Sequence, residues 1–183
     1  MSYCKSIKTF FLGFCICVVF TSCFKDVDFS KAQDISLEPD LEVDLLYYQL
    51  NENDYIDSNS GIYNPVIRDT VRLEFLDDDY IQDGLVYTAL RFRHENQFPN
   101  QIVSKIRFLR ENGREEFKVV YTVPAGANAS AAVIDTTRIL QGRDIEKIRR
   151  SIQMVVEHEV VGGDENLNGE LMFKSKGLFR FEF

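Results

Sequence analysis

Two histidines, two acid-rich stretches and four cysteines are the side chains of this 183-residue sequence with the most chemistry to offer. His94 stands in Arg93-His94-Glu95 and His158 in Glu157-His158-Glu159. Side chains alternate across a strand, so His158 turns away from both of its glutamates and the trio is a poor ligand set. Both histidines are expected at ordinary surface positions. The stretch Asp164-Glu165-Asn166-Leu167-Asn168-Gly169 matches the first six positions of an EF-hand-type calcium loop, with Asp164, Asn166 and Asn168 as candidate ligands. The acid that belongs at the twelfth position is replaced by Ser175, and no helices flank the loop. A turn between two strands accounts for the same residues, so no metal or other cofactor is expected.

Asp77-Asp78-Asp79, with Asp83-Gly84 behind it, forms a second acidic cluster that could lie at the same end of the domain as the first. A solvated loop is its expected form. Serines and acids are present, but no Gly-x-Ser-x-Gly turn and no Gly-rich phosphate loop occur. Paired acids for glycoside hydrolysis could come from any of the 29 Asp and Glu, and spacing singles out none. The expectation is a protein that is not an enzyme.

The elements that must position these residues read as strands. Leu41, Val43 and Leu45 alternate with Glu42 and Asp44, and Val71, Leu73 and Phe75 with Arg72 and Glu74. The same period of two runs through Leu90–Phe92, Ile106–Phe108, Phe117–Val123, Ile152–Val156 and Phe179–Phe183, in segments rich in Val, Ile, Phe and Tyr. Glu111-Asn112-Gly113-Arg114 predicts a hairpin, because Asn-Gly accepts the positive φ of a tight turn. Asn51 to Asn64 reads as a long polar connection. Asp144–Arg150 is the one plausible helical turn, with Asp144 as its cap. The fold class is therefore all-β: a two-sheet immunoglobulin-like sandwich of about seven to nine strands with a short helical turn. The closing Phe179, Phe181 and Phe183 mimic the last strand of an outer-membrane barrel, but long acidic loops favour the last strand of a sandwich.

Cys4, Cys15 and Cys17 fall in the first 22 residues, where Lys5 and Lys8 precede an apolar run from Thr9 to Phe20. A basic start followed by about a dozen apolar residues describes a secretory signal. The run is shorter than the roughly 20 residues of a membrane-spanning helix. Phe20-Thr21-Ser22-Cys23, at its end, resembles the lipobox of bacterial lipoproteins. The resemblance implies cleavage before Cys23 and lipidation of that residue, with diacylglycerol on sulfur and an acyl chain such as palmitate on its amine. Two or three chains anchor a protein stably where one does not. Cys23 would then be the only cysteine left, which excludes a disulfide framework.

Removal of 22 residues leaves 161, divided into a polar tether over 23–39 and a domain over 40–183. The remaining charge, 19 Lys and Arg against 29 Asp and Glu, is net −10. Such a surface disfavours nucleic acid and anionic lipid as partners. Asp69-Thr70-Val71 and Asp135-Thr136-Thr137 resemble acceptor sites for O-glycans on exported Bacteroidetes proteins, at Thr70 and Thr136. Asn128-Ala129-Ser130 has the form of an N-glycosylation site, which means little in a bacterium. Together with the lipobox, these matches resemble the outer-membrane lipoproteins of Bacteroidetes. Phe24 after Cys23 implies release to the outer membrane, and Lys25-Asp26 partly resembles a surface-export signal. The expected function is a non-enzymatic binding or scaffold module holding an envelope protein or a glycan. The alternative is a calcium- or carboxylate-dependent carbohydrate-active or carbohydrate-binding protein of the surface.

Overall fold

A computed structural model describes residues 36–57, 59–127, 130–163 and 167–183. Leu37–Phe183 is the β domain. Its strands are β1 (Asp40–Asn51), β2 (Val66–Arg72), β3 (Leu85–Asn96), β4 (Ile102–Leu109), β5 (Glu115–Val123), β6 (Ala132–Gln141), β7 (Gln153–Val160) and β8 (Glu170–Phe181). One sheet has the order β1-β8-β3-β6 and the other β2-β7-β4-β5, with every neighbouring pair antiparallel. The all-β two-sheet sandwich is thus present. Its strand order is that of a jelly roll, eight strands in two four-stranded sheets, rather than the seven-stranded immunoglobulin arrangement.

Alternation fixes which residues fill the space between the sheets. On β3, Leu90, Phe92 and His94 point inward while Arg91 and Arg93 point out; on β8, Leu171, Phe173, Ser175 and Phe179 point inward while Lys174 and Lys176 point out. Phe92, Phe108, Phe173, Phe179, Ile106, Met154 and Val156 belong to one apolar cluster. Tyr55, Phe98, Ile102, Val123, Val160, Leu167 and Leu171 form a second. The 4–5 hairpin closes as the sequence predicts: Gly113 has φ 78°, Arg110 N–H donates to Arg114 O at 2.9 Å, and Asn112 Oδ1 accepts from Arg114 N–H at 3.1 Å.

Other segments differ from the sequence reading for local reasons. β6 has no counterpart among the strands read from the sequence. It is a sheet edge, and of its ten residues only Leu140 is fully buried, so little apolar alternation marks it. β2 stops at Arg72, before Leu73 and Phe75 can continue the alternation, and a 3-10 turn, Glu74–Leu76, follows. The aspartates 77–79 are not an open loop but the entrance to helix α1 (Asp79–Gly84), where Asp78 Oδ1 accepts from the backbone of Tyr80 and Ile81 at 2.9 and 3.1 Å. The connection from Asn51 contains a capped 3-10 turn, Glu52–Tyr55, whose last residue is fully buried.

Helix α2 (Ile145–Arg149) confirms the helical turn, and it buries Ile145 and Ile148 over one end of the sandwich. Asp144 makes no capping hydrogen bond; its carboxylate takes Lys147 Nζ at 2.5 Å instead. β1 is prolonged backwards by Leu37, which exchanges backbone hydrogen bonds with Phe183 at 3.1 and 3.0 Å. The final strand is central, held between β1 and β3, so its aromatic row is core and not the closing edge of a barrel.

Candidate functional site

The histidines are not at the surface. His94 on β3 and His158 on β7 are both fully buried, with ring centroids 5.6 Å apart at 88°. His94 Nε2 lies 2.9 Å from Ser104 Oγ, while His94 Nδ1 and both nitrogens of His158 have no hydrogen-bond partner among the described residues. Phe173, Tyr48 and Tyr121 complete the surroundings. Desolvation disfavours the charged form, and it holds His94 at about 4 and His158 at about 3, the latter lowered further by its neighbour. The two neutral imidazoles are thus enclosed in the core among aromatic rings of the first apolar cluster.

The Asp77–Asp79 cluster and the described end of the other acidic stretch, Leu167–Gly169, lie at opposite ends of the sandwich. Asp77 and Asp79 border a hollow with Arg110, Glu111 and Arg150 at one end of the sandwich. Gly169 packs against Gln97 and Phe98 at the other. Asp77 is taken by Arg72 at 2.5 Å and Asp78 by the start of α1. Asp164 and Asn166 lie outside the described residues; Asn168 is exposed. Ser175, at the twelfth position of the calcium pattern, points into the core and donates to Leu46 O at 3.3 Å. No group of three His, Cys, Asp or Glu placed to hold a metal occurs among the described residues. Thr70 is exposed on β2, and Thr136 is half-buried on the inner side of β6. Cys23 lies outside the described residues, as does Asn128. No described helix is long and apolar enough to cross a membrane.

What the fold does assemble is a groove on the outer face of the β1-β8-β3-β6 sheet. Arg91 stands opposite Lys176, and Arg93 opposite Lys174, in the β3–β8 ladder. β1 skips one residue between Asp44 and Leu46 where it passes β8. Such a bulge bends the strand and redirects side chains, and a hollow of about 180 Å³ opens beside it, lined by Asp44, Arg91, Arg93, Lys174, Ser175 and Lys176. A second hollow of about 200 Å³ adjoins it, sharing Arg91 and Lys176 and floored by Ala89 and Leu178.

The guanidiniums are braced from the sides. Arg91 forks onto Asp135 of β6 at 2.7 and 2.5 Å. Arg93 gives Nε to Glu95 at 2.8 Å and Nη1 to Asp135 at 3.4 Å. The Arg91 hydrogen bond holds the Asp135 carboxyl below the usual carboxylate range. Lys176 pairs with Glu42, while Lys174 lies over the exposed Tyr47 ring, 5.4 Å from its centroid. The opposite outer face has its ions paired differently: Arg68 and Lys105 converge on Glu157, and Lys105 also reaches Glu159.

Sequence reasoning used the alternation of Leu90 and Phe92 with Arg91 and Arg93 to define β3 and gave the two arginines no role in a site. The signal was present in two short patterns, Arg-Phe-Arg and Lys-Ser-Lys, each placing two cations on the wet face of a strand. That the two patterns stand opposite each other depends on pairing between segments some 80 residues apart, which alternation does not encode.

No protein-family model matches this chain, and no curated protein sequence does. Among solved structures it is similar to a protein of Parabacteroides distasonis described as secreted, at 13% identity and TM-score 0.41 over 62% of this chain and 37% of that one. It is also similar to the VP2 subviral particle of infectious bursal disease virus, at 9% identity and TM-score 0.44 over 79% and 32%. A third likeness is to the enzymatically active domain of a bacteriophage CBA120 tailspike, at 12% identity and TM-score 0.38 over 81% and 19%. The chain spans less than two-fifths of the length of each of these three.

Proposed function

We propose that this chain is a lipid-anchored envelope protein, held at Cys23 on the outer membrane, that binds a partner through the outer face of the β1-β8-β3-β6 sheet and performs no chemistry on it. The groove beside the β1 bulge carries this reading. Its cations project from the interior of paired strands, and Arg91, Arg93 and Lys176 are braced by Asp135, Glu95 and Glu42, so the positions of these three are set before a ligand arrives. Sites on strands are held more firmly than sites on loops, and preorganisation lowers the ordering cost of binding. The residues best suited to proton transfer, His94 and His158, are withdrawn into the core.

Two variants test the two halves. Cys23→Ser is expected to leave the domain folded and move it from the membrane fraction to the soluble fraction; sedimentation with envelopes as before would contradict the anchor. Capture of the intact protein from solubilised envelopes is expected to recover a partner in fixed ratio, and Arg93→Glu is expected to lose it. Repeated recovery of the protein alone would overturn the binding role.

A further inference from the structure

The outer face contains an arrangement that the fold alone does not need. Two successive cross-strand positions put cation against cation, Arg91 opposite Lys176 and Arg93 opposite Lys174. Like charges directly opposite on one sheet face destabilise it, and here they do so within a chain of net charge −8. The bracing acids offset this in part. Glu95 accepts from Nε of Arg93 and Asp135 from Nη1, leaving its Nη2 uncommitted among the described residues. No described carboxylate lies within ion-pair distance of Lys174, whose ammonium rests over Tyr47. The hollow is therefore lined by four cations and one acid, Asp44.

Resting on the reading of this face as a binding surface, we propose that its ligand is an acidic saccharide. A sugar carboxylate lies among Lys174, Lys176 and Arg93, and neighbouring hydroxyls donate to Asp44. A carboxylate there relieves the opposed cations and takes charge-assisted hydrogen bonds, which are about twice as strong as neutral ones. The surrounding acids choose between anions. A polymer with a phosphate on every unit would bring charge against Asp44, Glu42, Asp135 and Glu95, whereas a sugar offers hydroxyl donors to such carboxylates. Tyr47, 61% exposed at the margin, and the Ala89–Leu178 floor give apolar surface for the C–H faces of sugar rings. The two hollows share Arg91 and Lys176, and they adjoin along strands that advance about 6.8 Å per outward-facing residue. That is a path for consecutive units of a linear chain.

The test is titration calorimetry of the mature lipoprotein in detergent with polygalacturonate, alginate and hyaluronate. The controls are the carboxyl-reduced polymers, inorganic phosphate and phosphatidylglycerol vesicles. At least one uronate polymer is expected to bind saturably, its carboxyl-reduced form at least about tenfold more weakly, a gap of 1.4 kcal/mol. Lys174→Glu is expected to weaken binding by a similar factor and Lys118→Glu, on the opposite face, to leave it unchanged, with both variants melting as the parent does. The inference is overturned if no uronate polymer binds, if reduced and acidic forms bind alike, if Lys174→Glu has no effect, or if phosphate or the vesicles bind in place of the sugars. Lack of uronate binding while Lys174 and Lys176 are shielded in native envelopes would sink the saccharide alone. Lack of shielding would sink the binding face as well.

Discussion

The imidazoles of His94 and His158 tie the stability of this domain to pH just below neutrality. Their folded-state affinity for protons falls to about 4 and about 3, from 6.5 when unfolded, because burial penalises the charged ring. The unfolded chain therefore binds more protons than the folded one below pH 6.5, and stability rises with pH through that window. The contribution is complete above the unfolded value and drains away as pH falls towards the folded ones. At pH 5 the loss is about 2 kcal/mol per histidine, from 1.5 pH units at 1.36 kcal/mol each. Against a total of about 5–15 kcal/mol, the pair is decisive. Urea unfolding at pH 7.5 and pH 5 is expected to show this drop, and His158→Leu to remove roughly half of it. A variant falling in parallel with the parent would contradict the account. Nothing in Glu157-His158-Glu159 disclosed the burial. Alternation correctly set the ring on the face away from both glutamates, but which face meets the other sheet depends on Val156 and Val160, and the reading left His158 outside that row.

At the scale of the elements, β8 decides most. It is the central strand that carries Lys174 and Lys176 on one side and Phe173 and Phe179 on the other, so core and groove share one backbone. Gly177 is the joint. A Cβ there would lie 2.4 Å from Phe179 Cε2 and 2.7 Å from Cζ, because that ring occupies the space of the missing side chain. Gly177→Val is expected to cost about 1–3 kcal/mol by overpacking, read as a lower urea midpoint. An unchanged midpoint would show that Phe179 can move freely. Strong alternation made β3, β4, β5, β7 and the end of β8 legible, and Asn-Gly fixed the 4–5 hairpin. β6 was not legible, because it is an edge strand whose inner row is broken by Thr136 and Arg138, which leaves no continuous apolar alternation. The α1 entrance was not either, since Asp78 as a cap and Asp78 as a solvated loop residue look the same without the backbone.

The whole molecule sets an acidic body against one sheet face where four cations and a single acid, Asp44, line a hollow. A net charge of −8 repels generic polyanions at a distance, while local complementarity selects an anion that fits. The jelly-roll order builds this contrast. It places β8 between β1 and β3, which brings Asp44, Lys176 and Arg91 into one row from three distant stretches of sequence. The class of fold could be read from the strand pattern, whereas the proposed anchor rests on the resemblance at Cys23 alone. The groove could not, because it exists only once the strands are paired.

The central claim is that this face is covered in the native envelope. Acylation of lysines by an amine reagent in intact envelopes, compared with the purified protein and read peptide by peptide, measures it directly. Lys174 and Lys176 are expected to be shielded in envelopes and to react on purification, with Lys118 on the outer face of β5 reacting equally in both. Equal reaction of all three in both states, or shielding of Lys118 in place of the β8 pair, would contradict it.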